Sequence, residues 1–186
     1  MSALRALVFA LHVFFVLALC PHTPRATFFF CPPPPPPSSP TNTFVVYVQA
    51  TFANGTNNFT AFPVAGINGK EFSVTQFGTF YVDDDYITAT ASPTSAMLGR
   101  SQGTITVTGL VGGRLQVSLT LVFTSGLYNG STLVLLGSAN PIPQVAQVAV
   151  VGGTNNFTFA TGFAELQPLN GVALNQVIKT TVTYKI

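Results

Sequence analysis

The chain has 186 residues, 47% of them hydrophobic and only 6% charged, with a formal net charge of +2 and a mean hydropathy of +0.47. That balance excludes an intrinsically disordered chain, which would be poor in apolar residues and highly charged, and it excludes a basic surface able to neutralise a phosphate backbone. A single globular domain rich in Thr, Val, Phe and Gly is the expectation.

At the N-terminus, Met1–Arg5 carries one positive charge and Ala6–Leu19 is a 14-residue run that is apolar except for His12. Such a run has the length of a secretory h-region and falls short of the roughly 20 residues a membrane helix needs. Residues 1–26 are therefore read as a signal peptide, whose removal leaves no membrane segment. Residues 27–42 contain Cys31 followed by six prolines. Lacking amide donors, these prolines stay out of any sheet and form a polyproline II spacer of about 3.1 Å per residue. The folded domain is expected over residues 43–186.

What that domain lacks narrows its chemistry. His12, Cys20, His22 and Cys31 all precede Thr43, so residues 43–186 hold no His, Cys or Trp. Ser-His-Asp and Cys-His nucleophilic sites, imidazole or thiolate zinc sites and an internal disulfide are excluded. The expectation is a protein with no metal, no cofactor and no hydrolytic or oxidative centre of its own. Five basic residues (Lys70, Arg100, Arg114, Lys179, Lys185) balance five acidic ones (Glu71, Asp83, Asp84, Asp85, Glu165), which argues against nucleic acid as a partner. Sequons at Asn54, Asn58, Asn129 and Asn156, taken with the export signal, predict a secreted glycoprotein.

Hairpin signals are dense: Asn-Gly at 54, 68, 129 and 170, and Gly-Gly at 112 and 152, each flanked by β-branched or aromatic residues. Strands are predicted over 43–52, 72–82, 103–109, 114–125, 131–137, 145–151, 156–166 and 176–185, with shorter pieces at 59–65 and 86–91, and no stretch has helical periodicity. In Arg114–Phe123 the residues Leu115, Val117, Leu119, Leu121 and Phe123 share one face, the two-residue period of a half-buried strand. With about eight antiparallel strands and no helix to cover them, closing the sheet removes its edges. The fold class is all-β, an eight-stranded antiparallel barrel, wide enough to be filled or to hold one small ligand. Within 156–166 the alternation puts Phe157, Phe159, Thr161 and Phe163 on one face, which is either packed core or the wall of a ligand cavity.

Four ordered blocks, FGTFYVDDDYIT (77–88), LGRSQGT (98–104), LVFTSGLYNGSTLVLLGSANP (121–141) and VAVVGGTNNFTFATGFA (148–164), resemble the plant dirigent proteins. The resemblance implies a barrel of lipocalin or allene-oxide-cyclase-like shape, homo-oligomeric as a dimer or trimer, in the apoplast of the cell wall. It implies a small phenolic or terpenoid ligand and an external oxidase, such as a laccase or peroxidase, that makes phenoxy radicals such as those of coniferyl alcohol. The barrel then acts as an auxiliary protein, orienting the radicals so that coupling yields one enantiomer of a lignan. Some relatives promote ring closure or dehydration through quinone methides.

The resemblance also implies polar pocket residues that this sequence replaces. The first-strand aspartate falls on Gln49, or on Val48 or Ala50 after a one-residue slip. The acid before Val-Val-Gly-Gly falls on Gln147, the following arginine on Thr161, and two tyrosines on Ile105 and Val107. Together with Phe159 and Phe163 these are the candidate pocket residues. The remaining ionisable candidates are Asp83, Asp84 and Asp85; of these Asp84 and Asp85 match the family's paired acids and are the acid–base candidates, strand alternation points at most one of that pair inward, and Arg100 or a turn is a competing structural partner. Because the replaced residues are those expected to move protons, a non-catalytic extracellular ligand-binding barrel with a defence or cell-wall role is the alternative function.

Overall fold

The computed structural model describes residues 41–52, 59–68, 73–141, 144–170 and 175–186. The predicted signal peptide, all but the last two residues of the predicted spacer, and the asparagines of the first two sequons, Asn54 and Asn58, lie outside the described residues.

Nine strands follow in chain order: β1 Asn42–Thr51, β2 Ala61–Ala65, β3 Phe80–Thr88, β4 Met97–Val107, β5 Leu115–Phe123, β6 Thr132–Ala139, β7 Ala146–Thr154, β8 Thr161–Pro168 and β9 Asn175–Lys185. They hydrogen-bond in the order β1-β9-β8-β7-β6-β5-β4-β3-β2, and β1 pairs in addition with β3. That last pairing, Tyr47 with Thr88 and Gln49 with Tyr86, closes an eight-stranded antiparallel barrel. The short β2 lies outside the closure, against the first half of β3, with Phe62 opposite Val82.

Two strands differ from the sequence expectation for identifiable reasons. The stretch expected over 72–82 starts only at Phe80 and continues through Asp83-Asp84-Asp85 to Thr88, because ladder bonds to β4 on one side and β1 and β2 on the other outweigh the poor strand propensity of aspartate. Likewise β4 begins at Met97 rather than 103, carrying Gly99 and Gly103 into the sheet. A side chain at either glycine would run into the β5 backbone, at Val122 O and Ser118 O respectively, so only glycine lets β4 approach β5 this closely.

The strand expected over 156–166 is broken. Asn155–Phe157 forms a 3-10 turn, and Asn155 (φ 52°) and Phe159 (φ 63°) both adopt left-handed backbone, which resets the two-residue period. Phe157 is fully buried while Phe159 is 85% exposed. Beyond Phe157 the residues of this segment that turn inward are Ala160, Ala164 and Leu166, the opposite face from the one expected.

The barrel is filled at one end. Phe44, Phe123, Tyr128, Phe157 and Tyr184 form a ring cluster there, with centroid separations of 4.8 Å for Tyr128–Phe157 to 6.0 Å for Phe44–Phe123. Tilted and edge-on aromatic pairs each contribute about 0.5–1.5 kcal/mol beyond area burial. The opposite end is hollow.

Candidate functional site

The hollow has a volume of about 80 Å³, room for several water-sized molecules. Most of its wall is aliphatic: Leu115, Val117, Leu119 and Leu121 of β5, with Leu135 of β6 and Ile105 of β4. It extends to the barrel end where Phe52, Asn140, Gln144 and Pro168 line it.

One side of this wall is polar, and strand alternation makes it so. Along β3 the residues Tyr81, Asp83, Asp85 and Ile87 are buried, whereas Val82, Asp84 and Tyr86 are exposed. Two carboxyls of the acid triplet therefore enter the barrel and one stays outside. Asp83 and Asp85 are 2% and 5% exposed, and both line the hollow together with Tyr81, Ser101 and Thr180. Ser101 lies directly across from Asp85, and Gly103 lies across from Asp83, so the β4 residue directly opposite Asp83 brings no side chain over its carboxyl.

The two buried acids are held differently. Asp85 Oδ1 accepts a hydrogen bond from the Thr60 hydroxyl. Thr60 is itself fixed, its Oγ1 accepting from the Thr51 N–H at 2.8 Å and its carbonyl from the Asp84 N–H at 2.8 Å. Neither oxygen of Asp83 has a hydrogen-bond partner among the described residues, and the same holds for Tyr81 OH, Ser101 Oγ and Thr180 Oγ1.

Burial, with the nearby Asp85 charge adding to it, pushes the Asp83 pKa up to about 8. Burial also raises Asp85, to about 7; the Thr60 hydrogen bond opposes that rise, Asp84 adds to it and Arg100 opposes it. Tyr81 rises to about 12 through burial and the adjacent Asp83. At neutral pH the wall thus presents a protonated carboxyl next to one poised between donor and acceptor, the arrangement that general acid–base chemistry needs.

Asp84 belongs to the outer surface. Its Oδ1 accepts from Arg100 Nε at 2.6 Å and from Gln102 Nε2 at 3.1 Å, while Arg100 Nη2 donates to the Asp84 carbonyl at 2.6 Å. Arg100 also sits 4.2 Å above the Tyr86 ring. The Arg100 hydrogen bond holds the Asp84 carboxyl below its ordinary range.

Of the other expected pocket residues, Ile105 lines the hollow. Val107 is fully buried in the hydrophobic core but does not border the hollow. Gln49 points outward, donating to Thr88 Oγ1 at 3.0 Å and to the Ala91 carbonyl at 3.3 Å; its neighbours Val48 and Ala50 are the ones that turn in. Gln147 is exposed between buried Ala146 and Val148. Thr161, Phe159 and Phe163 are exposed on the outside of the barrel, for the period change at the 3-10 turn described above. Asp83, one of the three ionisable candidates, was passed over for the Asp84–Asp85 pair although the signal was present: if Asp85 faces inward, a two-residue period carries Asp83 in with it.

Residues 41–185 match the family described as Dirigent-like protein. The chain belongs to the dirigent family. It is 32% identical over 107 residues to dirigent protein 1 of Arabidopsis thaliana, covering 58% of this chain and 59% of that protein. Against pterocarpan synthase 1 of Glycine max the identity is 36% over 103 residues, or 55% of each chain; the match thus spans little more than half the length of these curated dirigent relatives. Among solved dirigent structures, those of the pterocarpan synthase dirigent proteins GePTS1 and PsPTS1 superpose with TM-scores of 0.70 and 0.69 at 26% and 27% identity. They cover 78% and 79% of this chain and 84% and 96% of theirs.

Proposed function

We propose that this dirigent-family protein steers the stereochemistry of phenoxy radical coupling, holding radicals of a monolignol such as coniferyl alcohol that a separate laccase or peroxidase has made. The observation that carries this reading is the hollow, an aliphatic slot with one polar side at the end of a closed barrel. Two phenoxy radicals free in water join at several carbons and on either face. Confinement between the rigid β5 leucines and the polar side of β3 limits which carbons meet and from which face. A preference of about 1.4 kcal/mol between two approaches already yields tenfold bias. Coupling itself needs no oxidant in the barrel, since each radical supplies one electron to the new bond.

The Asp83–Asp85 pair favours a second reading in the same hollow, acid–base ring closure of a quinone methide, in keeping with the name pterocarpan synthase carried by the Glycine max relative and by both solved structures. Asp83 gives its proton to the quinone methide carbonyl oxygen as the attacking hydroxyl closes on the methide carbon, and Asp85 takes the proton which that hydroxyl loses. The ring regains aromaticity and no net proton is gained or lost.

The wider reading is of a secreted apoplastic glycoprotein acting as a dimer or trimer. Asn129 and Asn156 are both exposed, as acceptor asparagines must be.

The test is the enantiomeric ratio of coupled products from an oxidase and a panel of monolignols, with and without this protein. A shift from racemic toward one enantiomer supports steering. Racemic product with retained ligand would favour the non-catalytic carrier instead. Asp83→Asn and Asp85→Asn that leave the ratio intact but slow ring closure of an added quinone methide would support the second reading.

A further inference from the structure

The polar side of the hollow holds buried oxygens that no neighbouring side chain or backbone group among the described residues satisfies. Tyr81 OH, both Asp83 oxygens, Ser101 Oγ and Thr180 Oγ1 lack a hydrogen-bond partner among the described residues, and each sits on a side chain no more than 2% exposed. Buried polar groups are partnered in the great majority of cases, so five orphaned oxygens on residues lining one cavity point to a polar ligand; the three hydroxyls can donate or accept, whereas the Asp83 carboxylate, once ionised, only accepts and calls for a donor. A hydroxyl brings one. A primary ammonium group brings three, together with a positive charge.

Charge points the same way. The titratable groups lining the hollow are Tyr81, Asp83 and Asp85, all from β3; β1, β4, β5, β6 and β9 contribute no charged side chain to it. Arg100 and Asp84 lie on the outer face, engaged with each other. The acid pair therefore meets no cation inside the barrel among the described residues. A divalent metal ion would want more oxygen or nitrogen ligands than the pair supplies, and no group of three potential metal-binding acids, His or Cys is found among the described residues.

We propose that the hollow binds small primary amines with an aromatic or alkyl body, the ammonium group seated between Asp83 and Asp85 and the body against the leucine wall of β5. One of the hydroxyl oxygens of Tyr81, Ser101 and Thr180 accepts the remaining ammonium hydrogen. This site shares the hollow assigned above to radical coupling, yet it does not require coupling, because an amine without a phenol fits it equally well.

Binding a cation favours the ionised carboxyls, so it is linked to proton release. Asp83, with its pKa raised to about 8, carries a proton at neutral pH and loses it when the ammonium group arrives. Amine affinity therefore rises as pH increases from 6 to 8.

The test is calorimetric titration of the full chain with 2-phenylethylamine and with its neutral counterpart 2-phenylethanol, at pH 5.5 and pH 8, and at pH 7 in two buffers of different protonation enthalpy. The expected result is an amine preference of about tenfold or more at pH 8, on the scale of one charge-assisted contact. That preference should shrink at pH 5.5 and in Asp83→Asn, with protons released at pH 7. Equal affinities at pH 8, a preference that ignores both pH and the substitution, or no binding of either compound would overturn the proposal. The pH series on the unaltered protein keeps the test valid if Asp83→Asn folds poorly. Neither probe can couple oxidatively as a phenol, so failure here leaves the enantiomeric-ratio test untouched, and the reverse also holds.

Discussion

The two ends of the barrel are built from the same strands and differ in what those strands point inward. From the filled end toward the hollow, the inward residues of β1 read Phe44, Val46, Val48 and Ala50, a steady loss of volume. Antiparallel β9 likewise places its one aromatic, Tyr184, at the filled end and the smaller Val182, Thr180 and Ile178 further along, and register brings Asn42 opposite Tyr184 so that both aromatic ends coincide. Where the rings meet, the barrel is solid. Where the aliphatic residues are small, space remains, and that is where Asp83 and Asp85 stand. Stability and binding are thus separated along the barrel axis, rings packed on one another at one end and a hollow with a polar side at the other, and this separation is open to attack from either end.

The largest effect is expected at the filled end. Phe157 is fully buried and touches the Phe44, Phe123, Tyr128 and Tyr184 rings. Phe157→Ala should cost about 3–5 kcal/mol, read as a lower urea midpoint, with the product ratio of the surviving folded fraction unchanged. A lost product ratio in fully folded Phe157→Ala would show that the two ends are coupled.

Next comes the hollow end, through pH. Asp83 and Asp85 have folded pKa values of about 8 and about 7 against an ordinary 3.8. Each therefore holds a proton in the fold at pH values where the unfolded chain has released it. Stability is highest below the unfolded value and falls as pH rises toward 8, with a slope approaching about 1.4 kcal/mol per pH unit for each group. Urea titrations at pH 5 and pH 8 should show the protein weaker at pH 8, and Asp83→Asn should remove roughly half of that slope. A pH-independent midpoint would mean that the carboxyls are not buried in the apolar setting described.

How far the sequence reveals these two ends depends on where the two-residue period holds. On β5 it runs unbroken from Leu115 to Phe123, so the leucine wall and barrel closure are readable directly. On β3 the period also holds, but three adjacent aspartates look like a break between strands, and matching Asp84-Asp85 to a paired motif hides Asp83. Ahead of β8 the period fails: left-handed backbone at Asn155 and Phe159 is a local geometry that alternation cannot anticipate, and it carries Phe159, Thr161 and Phe163 out of the predicted pocket. Gln49 and Gln147 were misplaced by a single residue, which in a strand is the difference between inside and outside.

Thr60 is a smaller lever on the hollow. Thr60→Val removes the donor to Asp85, which lets burial raise that carboxyl further. The charged form loses most, so the cost should be about 1.5–3 kcal/mol at pH 8 and lower at pH 5 where Asp85 is protonated. Equal losses at both pH values would place the effect in the Thr51 contact rather than in Asp85.

The smallest effect is expected outside the barrel. The Arg100–Asp84 pair has side chains 27% and 51% exposed, so water and salt screen it, and such pairs contribute about 0–1 kcal/mol. Arg100→Ala should cost no more than about that, even counting its packing over the Tyr86 ring, and the loss should shrink further in high salt. It also removes one influence that lowers Asp85, a slight upward push on a carboxyl that burial already dominates. Because Arg100 touches nothing that lines the hollow except through this long-range charge, the enantiomeric ratio should stay where it is. If Arg100→Ala moved that ratio as far as Asp83→Asn does, the division of the acid triplet into two inner groups and one outer one would be the wrong description of where its chemistry lies.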